Sequence, residues 1–158
     1  MDIKYINPFI NSTTNVFEDF FKVSPVVQKP YIVRSNEDHE WDVSAIIGIA
    51  GETRGAVVIS FTEDLATLLT SKLVGRQITT IDDDVVDTIG EIVNIIAGNA
   101  KKGLEEYRLM ISLPSIIKGK NHQIAWPVKN LPIVGIPFKT DFGPFTLSVG
   151  LENIITEG

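Results

Sequence analysis

Residues 83–107 constrain the fold most, because their apolar and polar side chains separate onto two faces at the 3.6-residue period of an α-helix. The apolar face consists of Val85, Ile89, Ile92, Val93, Ile96, Ala100 and Leu104. The polar face consists of Asp84, Asp87, Glu91, Asn94, Gly98, Lys101 and Glu105. We therefore expect a long helix that packs one side into a hydrophobic core and turns the other toward solvent or a partner.

The rest of the chain is dominated by short β-favouring runs that are separated by turn-forming residues. Strands are predicted at residues 31–33, 43–50, 56–61, 109–117, 123–126, 131–139 and 145–151. Two more helices are predicted, one over about residues 8–21 and a short one that Thr62 begins and Gly75 ends. Because helices and hairpins mix without a regular βαβ alternation, we expect an α+β fold in which long helices cover one large, mostly antiparallel sheet.

Four glycines lie at informative positions, two beside a loop between strands and two inside the long helix. Gly51 and Gly55 flank the loop between two of the strands, where we expect them to supply positive φ angles. Gly90 and Gly98 lie inside the long helix, where each costs about 1 kcal/mol relative to alanine. Their missing side chains are expected to permit close approach, of a neighbouring helix at Gly90 and of a docking partner at Gly98.

Composition indicates one globular domain over residues 1–158. Of the 158 residues, 44% are hydrophobic and 22% are charged, which is too apolar for a disordered chain. No apolar run approaches the roughly 20 residues of a membrane-spanning helix, and the N-terminus lacks the pattern of an export signal. There are no cysteines. A cytoplasmic location is the expectation that follows.

Net charge and the placement of aspartates and histidines argue against a nucleic-acid site and against a metal site. The net charge of −6 opposes the phosphate backbone of nucleic acids, so nucleic-acid binding is not expected. Asp82, Asp83 and Asp84 suit the start of a helix, and they lack the later ligands of a calcium loop. His39 and His122 are isolated in sequence, which favours surface positions. No metal site is predicted.

Glu91 and Asn94 are the candidate functional pair. Residues three apart on a helix differ by about 60° in azimuth and about 4.5 Å in height, so the two head groups can act on one ligand. An interior asparagine costs up to roughly 0.7 kcal/mol in helix propensity, a penalty that a functional amide justifies. A solvated helix face explains such a pair more often than catalysis does, so on pattern alone both interpretations stay open.

Residues 87–98 resemble the signature helix of the CheX/CheC/FliY chemotaxis phosphatase family. In that signature an aspartate or serine is followed by a glutamate four residues later and an asparagine three residues after that, as Asp87, Glu91 and Asn94 are here. The family continues about twenty residues later with a proline that begins a strand, and Pro114 matches it. The order of elements agrees over nearly the whole chain, although the Asn94 to Pro114 spacing is slightly shorter than is typical.

The resemblance implies a phosphatase that hydrolyses the aspartyl-phosphate of a CheY-like response regulator. Asn94 would orient the attacking water, and Glu91 would pair with the lysine of the receiver's active site. The partner-docking residues would be Asp87, Gly98 and Pro114. The receiver would supply Mg²⁺, so the chain needs no cofactor of its own. The rival interpretation is a noncatalytic receiver-binding or structural interaction module with the same fold.

Within this family the chain is most similar to CheX. CheC-like members carry a second copy of the motif on their first helix, whereas residues 7–18 contain no glutamate followed three residues later by asparagine. One site per chain is therefore expected. CheX-like members form dimers, and the predicted hairpins leave sheet edges that a second copy would cover, so we also expect a homodimer.

Overall fold

The computed structural model describes residues 3–33, 41–120, 122, 124, 126 and 131–152. These residues form three helices, α1 (Ile3–Phe21), α2 (Glu63–Val74) and α3 (Asp83–Lys102). They also form eight strands: β1 (Val26–Val27), β2 (Tyr31–Ile32), β3 (Val43–Gly51), β4 (Gly55–Phe61), β5 (Leu109–Ile111), β6 (Ser115–Lys118), β7 (Val134–Thr140) and β8 (Gly143–Leu151).

All the strands belong to one sheet, and every pairing in it is antiparallel. The strand order is β1-β7-β8-β4-β3-β5, with β2 also pairing with β7 and β6 also pairing with β3. The predicted α+β class, with helices on a large antiparallel sheet, is confirmed. In the part of the chain that is described, no helix is long and apolar enough to cross a bilayer.

The core lies between the three helices and one face of the sheet. Alternate side chains of the central strands, such as Val57 and Ile59 in β4, are fully buried against the helices. Phe17 of α1 stacks on Phe145 of β8 with ring centroids 4.4 Å apart. Burying a side chain of this size contributes about 1.5–3 kcal/mol, so this apolar layer supplies most of the drive to fold.

The short helix α2 forms where its capping residues predict. The backbone N–H of Leu65 donates to the Thr62 hydroxyl at 3.2 Å, and Gly75 closes the helix with φ of 76°. Gly51 has the predicted positive φ of 122°. The same prediction is wrong for Gly55, where a Cβ would lie 1.8 Å from the carbonyl oxygen of Gly150. Gly55 is therefore needed for close contact between β4 and β8.

The first helix begins earlier than predicted, at Ile3, and contains Pro8. Proline removes one backbone N–H donor from the helix, which lowers its stability unless packing compensates. The proline ring packs directly on Gly103, because a Cβ built at Gly103 would lie 2.7 Å from the Pro8 Cβ. The Ser12 hydroxyl also donates to the Ile96 carbonyl at 3.0 Å, which joins α1 to α3.

The long helix ends at Lys102 rather than at residue 107, so its predicted C-terminus is wrong. Gly103 leaves the helix with its N–H directed at the carbonyls of Ala100 and Lys101. The chain then turns, and Leu104 N–H donates to the Lys101 carbonyl at 3.0 Å. Leu104 is still buried, as are all the other residues of the predicted apolar face. The assignment of that face is confirmed.

The predicted strand over residues 109–117 is two strands, and the interruption falls at residues 112–114. Both strands pair with β3, since Ile111 lies opposite Ile49 and Ser115 lies opposite Ile46. Three residues on this edge therefore face two on β3, which is a bulge. Pro114 accounts for the break because it has no N–H to continue the ladder.

Two further strand predictions differ from the structure. The strand predicted at residues 123–126 falls partly on Gln123 and Ala125, which lie outside the described residues, and neither Ile124 nor Trp126 is in a strand. The predicted strand over residues 131–139 begins later, at Val134. Sequence reasoning also missed β1, a two-residue strand that pairs with the end of β7.

Candidate functional site

Helix α3 starts at a cluster of acidic residues, each with a local role. The backbone N–H of Val85 donates to Asp82 Oδ1 at 3.0 Å, so Asp82 is the N-cap. Asp83 lies in the first turn, where a negative charge complements the helix dipole. Asp84 forms an ion pair with Arg76. The interpretation of these aspartates as a helix start is confirmed.

The described residues contain no group of three or more acidic or histidine side chains that could hold a metal ion. His39 lies outside them. His122 lies at the surface only in part, because it is half-buried and accepts or donates a 2.6 Å hydrogen bond with Ser44. Its other ring nitrogen lies 2.8 Å from the Gly119 carbonyl oxygen, so this histidine ties the chain after β6 to the sheet.

A cleft of about 420 Å³ opens between the middle of α3 and the strand edge at β6. Its helix wall is polar and carries Asp87, Glu91 and Asn94. Its strand wall is apolar and carries Leu113, Pro114 and Ile116, with Val86 and Gly90 completing the lining. The volume lies within the range of about 300–1,000 Å³ that is usual for binding pockets. The cleft thus offers polar groups on one side and an apolar surface on the other.

Four of the five residues that the sequence nominates meet in this cleft. Glu91 and Asp87 are exposed, Asn94 and Pro114 are half-buried, and all four line it. Gly98 is the exception, because it lies on α3 beyond the cleft. A Cβ built at Gly98 would meet no atom within 4 Å, so this position faces open space.

Glu91 and Asn94 keep their polar atoms available. Neither side chain forms a hydrogen bond or an ion pair with any other residue that the structure describes. Both lie in the middle of α3, where the helix already satisfies the backbone groups around them. A carboxylate and an amide are therefore held one turn apart, ready to bind water or an external group.

Gly90 lies where the two walls of the cleft meet. A Cβ built there would lie 3.5 Å from Pro114 Cγ and 3.6 Å from Ile116 Cδ1, which are ordinary contact distances. The prediction is therefore wrong in two respects: the strand edge and not a neighbouring helix faces Gly90, and the packing leaves room for an alanine methyl. The apolar wall packs against the helix directly beside Glu91.

The cleft is acidic. Asp87 and Glu91 lie on its helix wall one turn apart, and no lysine or arginine is among the described residues that line it. Such a surface attracts a partner that presents a positive charge at the matching place, and it disfavours one that presents a negative charge there.

Sequence reasoning missed the apolar wall apart from Pro114. Leu113, Ile116 and Val86 all line the cleft, and Leu113 is 87% exposed. The available signal is the proline inside a β-favouring run, because proline interrupts a strand and restricts the residue before it. That signal locates the break in the strand but does not show which helix the break faces.

Comparison with known proteins assigns the family. The family model for chemotaxis phosphatase CheX matches residues 43–139, which include α3 and the whole cleft. The CheY-P phosphatase CheX of Thermotoga maritima is 27% identical over 127 residues, covering 78% of this chain and 81% of that protein. A CheC-like protein of a Shewanella species has a TM-score of 0.88 and 31% identity, covering 97% of this chain and 100% of its own.

A third relative comes from a complex. The matched chain in the CheX-CheY-BeF3-Mg²⁺ complex of Borrelia burgdorferi has a TM-score of 0.79 and 28% identity, covering 93% of this chain and 97% of its own. The resemblance first seen in the α3 motif thus extends to the whole sheet and its helices. Since the family model spans more than half of the sequence, the chain belongs to the chemotaxis phosphatase CheX family.

Proposed function

We propose that this chain is a phosphatase that accelerates hydrolysis of the aspartyl-phosphate of a CheY-like response regulator. The observation that carries the proposal is the pair Glu91 and Asn94, which line the cleft on the helix that holds the family signature and have no side-chain partner among the described residues. A curated relative is a CheY-P phosphatase, and another relative forms a complex with CheY, BeF3 and Mg²⁺. The reaction is loss of a phosphoryl group from the partner to water.

Asn94 is assigned to the attacking water. Hydrolysis of an acyl phosphate passes through a loose transition state, so catalysis depends mainly on positioning and on electrostatic stabilisation. An amide side chain can accept a hydrogen bond from water with its oxygen and donate one with its nitrogen. Asn94 can therefore hold water in line with the phosphorus without being consumed, and its half-buried position limits the orientations of its side chain.

Glu91 is assigned to docking at the reaction centre. A carboxylate repels the phosphoryl group, so direct contact between the two is unfavourable. Pairing with the lysine of the receiver's active site avoids that repulsion and fixes Asn94 over the phosphoryl group. Asp87 lies one turn away on the same wall and extends the acidic surface that this lysine approaches. Gly98 and Pro114 complete the proposed docking face, at its open end and on its strand wall.

The metal belongs to the partner in this proposal. Mg²⁺ neutralises charge on the phosphoryl oxygens when it is bound in the receiver. The described acidic residues of this chain form no metal-binding group, and Asp82 and Asp84 already serve the helix cap and an ion pair. We therefore assign no cofactor to the chain itself. We also propose that the protein acts in the cytoplasm, together with its proposed receiver substrate.

We further propose that residues 1–158 act as one domain and that two copies form a homodimer. Among the described strands, β1 lies at one end of the sheet order and exposes apolar side chains, including Val26, which is 60% exposed. A second copy that covered this edge would bury them and protect the edge from other pairings. Sedimentation at micromolar concentration should give a dimer, and a monomer throughout that range would contradict this part of the proposal.

The function is tested by phosphate release from purified, phosphorylated receivers with and without this protein. We expect release from at least one receiver to accelerate and to saturate as the protein concentration rises. An equal concentration of the Asn94→Ala variant serves as the matched control. Binding of a phosphorylated receiver without acceleration would instead identify a noncatalytic receiver-binding module, and the absence of both binding and acceleration across the panel would contradict the proposal.

A further inference from the structure

Leu113 is the most exposed large apolar side chain in the described structure, at 87%. It lies in the bulge between β5 and β6, the two strands that pair with the same edge of β3. Large apolar side chains on a surface are ordinary when they are scattered, but this one lines the cleft that contains Glu91 and Asn94. Its position makes it a candidate for contact with whatever binds there.

The backbone around Leu113 is fixed from both sides. Ser112 N–H donates to the Gly48 carbonyl at 2.9 Å, and Gly48 N–H donates to the Ser112 hydroxyl oxygen at 2.8 Å. The Ser112 hydroxyl also donates to the Leu113 carbonyl at 3.0 Å. On the other side, Pro114 packs against Gly90 of α3. Leu113 is therefore held at a defined place relative to the helix.

Proline adds a second restriction. A residue that precedes proline is kept out of the α region and in extended conformations, so Leu113 has few backbone states open to it in either the free or the bound protein. A residue whose backbone is already restricted loses less conformational entropy on binding. An exposed leucine on such a fixed backbone can be buried by a partner at a low ordering cost.

We propose that Leu113 is the apolar anchor of the receiver-docking surface and fills an apolar depression beside the aspartyl-phosphate of the phosphorylated receiver. The inference rests on the proposed function. The receiver is the proposed partner of Leu113 because Leu113 and Asn94 line the same cleft, which has a volume of about 420 Å³. A receiver whose phosphoryl group reaches Asn94 also covers the strand wall. The acidic helix wall favours a partner with a positive charge. Leu113 adds the requirement that this partner have an apolar depression of matching shape.

The chain offers a matched control in Met110, which is 67% exposed and three residues earlier on the same edge. Its neighbour Leu109 is buried in the core, so alternation along β5 turns Met110 to the opposite face of the sheet. Met110 does not line the cleft. Truncation at Met110 removes comparable exposed apolar surface without touching the proposed anchor.

The experiment compares Leu113→Ala, Leu113→Ser and Met110→Ala in single-turnover phosphate release over a range of protein concentrations. Affinity is also measured for the receiver trapped with beryllium fluoride and Mg²⁺. We expect Leu113→Ser to raise the half-saturating concentration and the dissociation constant about tenfold, which corresponds to about 1.4 kcal/mol. The saturating rate should stay within about twofold of wild type, since the anchor does not touch the reacting atoms. Met110→Ala should change neither value.

The outcomes separate the anchor from the function on which it rests. If wild type accelerates release but the Leu113 variants bind like Met110→Ala, the anchor is wrong while the phosphatase stands. If wild type does not accelerate release, the proposed function fails, and the affinities for the trapped receiver still decide whether Leu113 docks it. A Leu113 variant that changes the sedimentation of the protein alone and not its affinity for the receiver assigns the leucine to a second copy and overturns the proposal.

Discussion

Two clefts of this molecule differ in what their polar side chains do. The larger, of about 540 Å³, is lined by α2 and the residues after it, from Asp64 to Ile78. There the Thr67 hydroxyl donates to the Glu63 carbonyl at 2.9 Å, the Ser71 hydroxyl oxygen accepts from Ile78 N–H at 2.9 Å, and Arg76 pairs with Asp84. In the smaller cleft, Glu91 and Asn94 have no such partners among the described residues.

Position along the helix explains part of the difference. The α2 cleft reaches the end of its helix at Gly75, where the Ser71 hydroxyl accepts from the Ile78 N–H beyond the helix, whereas Thr67 bonds back within the helix. The α3 cleft surrounds the middle of a helix, where the backbone needs no help. Side chains in the second setting remain available for binding or catalysis. Available polar groups alone do not separate the clefts, because Asp64 and Gln77 of the α2 cleft also have no side-chain partner among the described residues. The α3 cleft differs because its available carboxylate and amide lie one turn apart on one helix and face an apolar wall.

Charge reversal in each cleft tests this contrast and should give the largest effect on receiver binding. Glu91→Ala should lower kcat/KM for the phosphorylated receiver about tenfold, and Glu91→Lys about 100-fold, because the new charge repels the receiver's lysine. The matched control is Asp64→Lys, which reverses an exposed charge that lines the α2 cleft. It should leave kcat/KM within about twofold of wild type.

Steady-state phosphate release measures these values, and thermal unfolding shows whether each variant is folded. Equal losses for Glu91→Lys and Asp64→Lys would mean that overall charge, and not a specific contact, controls the reaction. Unchanged kinetics for both Glu91 variants would remove the docking role from Glu91.

Substitutions at Gly90 test the packing between the two walls of the α3 cleft and should have smaller effects. Alanine fits, since its Cβ would make ordinary contacts at 3.5 Å or more with Pro114 and Ile116. We expect Gly90→Ala to stabilise the fold by up to about 1 kcal/mol through helix propensity, with activity retained. Gly90→Val adds two more methyl groups than alanine against the strand wall and should destabilise by about 1–3 kcal/mol and lower kcat/KM several-fold. Denaturant unfolding and phosphate release test both, and equal behaviour of the two variants would contradict the tight packing at Gly90.

Local sequence signals were sufficient for the helix side of the candidate site. Thr62 and Gly75 fix the ends of α2, and the apolar period of α3 fixes which of its side chains point away from the core. Once that face is known, Glu91 and Asn94 must be neighbours on it, because both depend on the geometry of a single helix. These predictions needed no knowledge of the sheet.

The strand side could not be predicted in the same way. Leu113 and Ile116 reach the cleft because β5 and β6 both pair with β3, which lies about sixty residues earlier in the chain. The register of that pairing and its bulge depend on non-local contacts that no local pattern specifies. For the same reason the sequence placed a helix, and not this strand edge, against Gly90.

The most direct test of the central claim is single-turnover phosphate release at saturating protein, comparing Asn94→Ala with Asn99→Ala. Both asparagines lie on α3, but Asn99 is exposed outside the cleft. We expect Asn94→Ala to fold, to bind the receiver nearly as wild type does, and to lower the rate on the order of 100-fold, about 2.7 kcal/mol of lost positioning. Asn99→Ala should retain the wild-type rate. If Asn94→Ala folds, binds and hydrolyses as fast as wild type, Asn94 is not the catalytic residue and the cleft is only a docking surface.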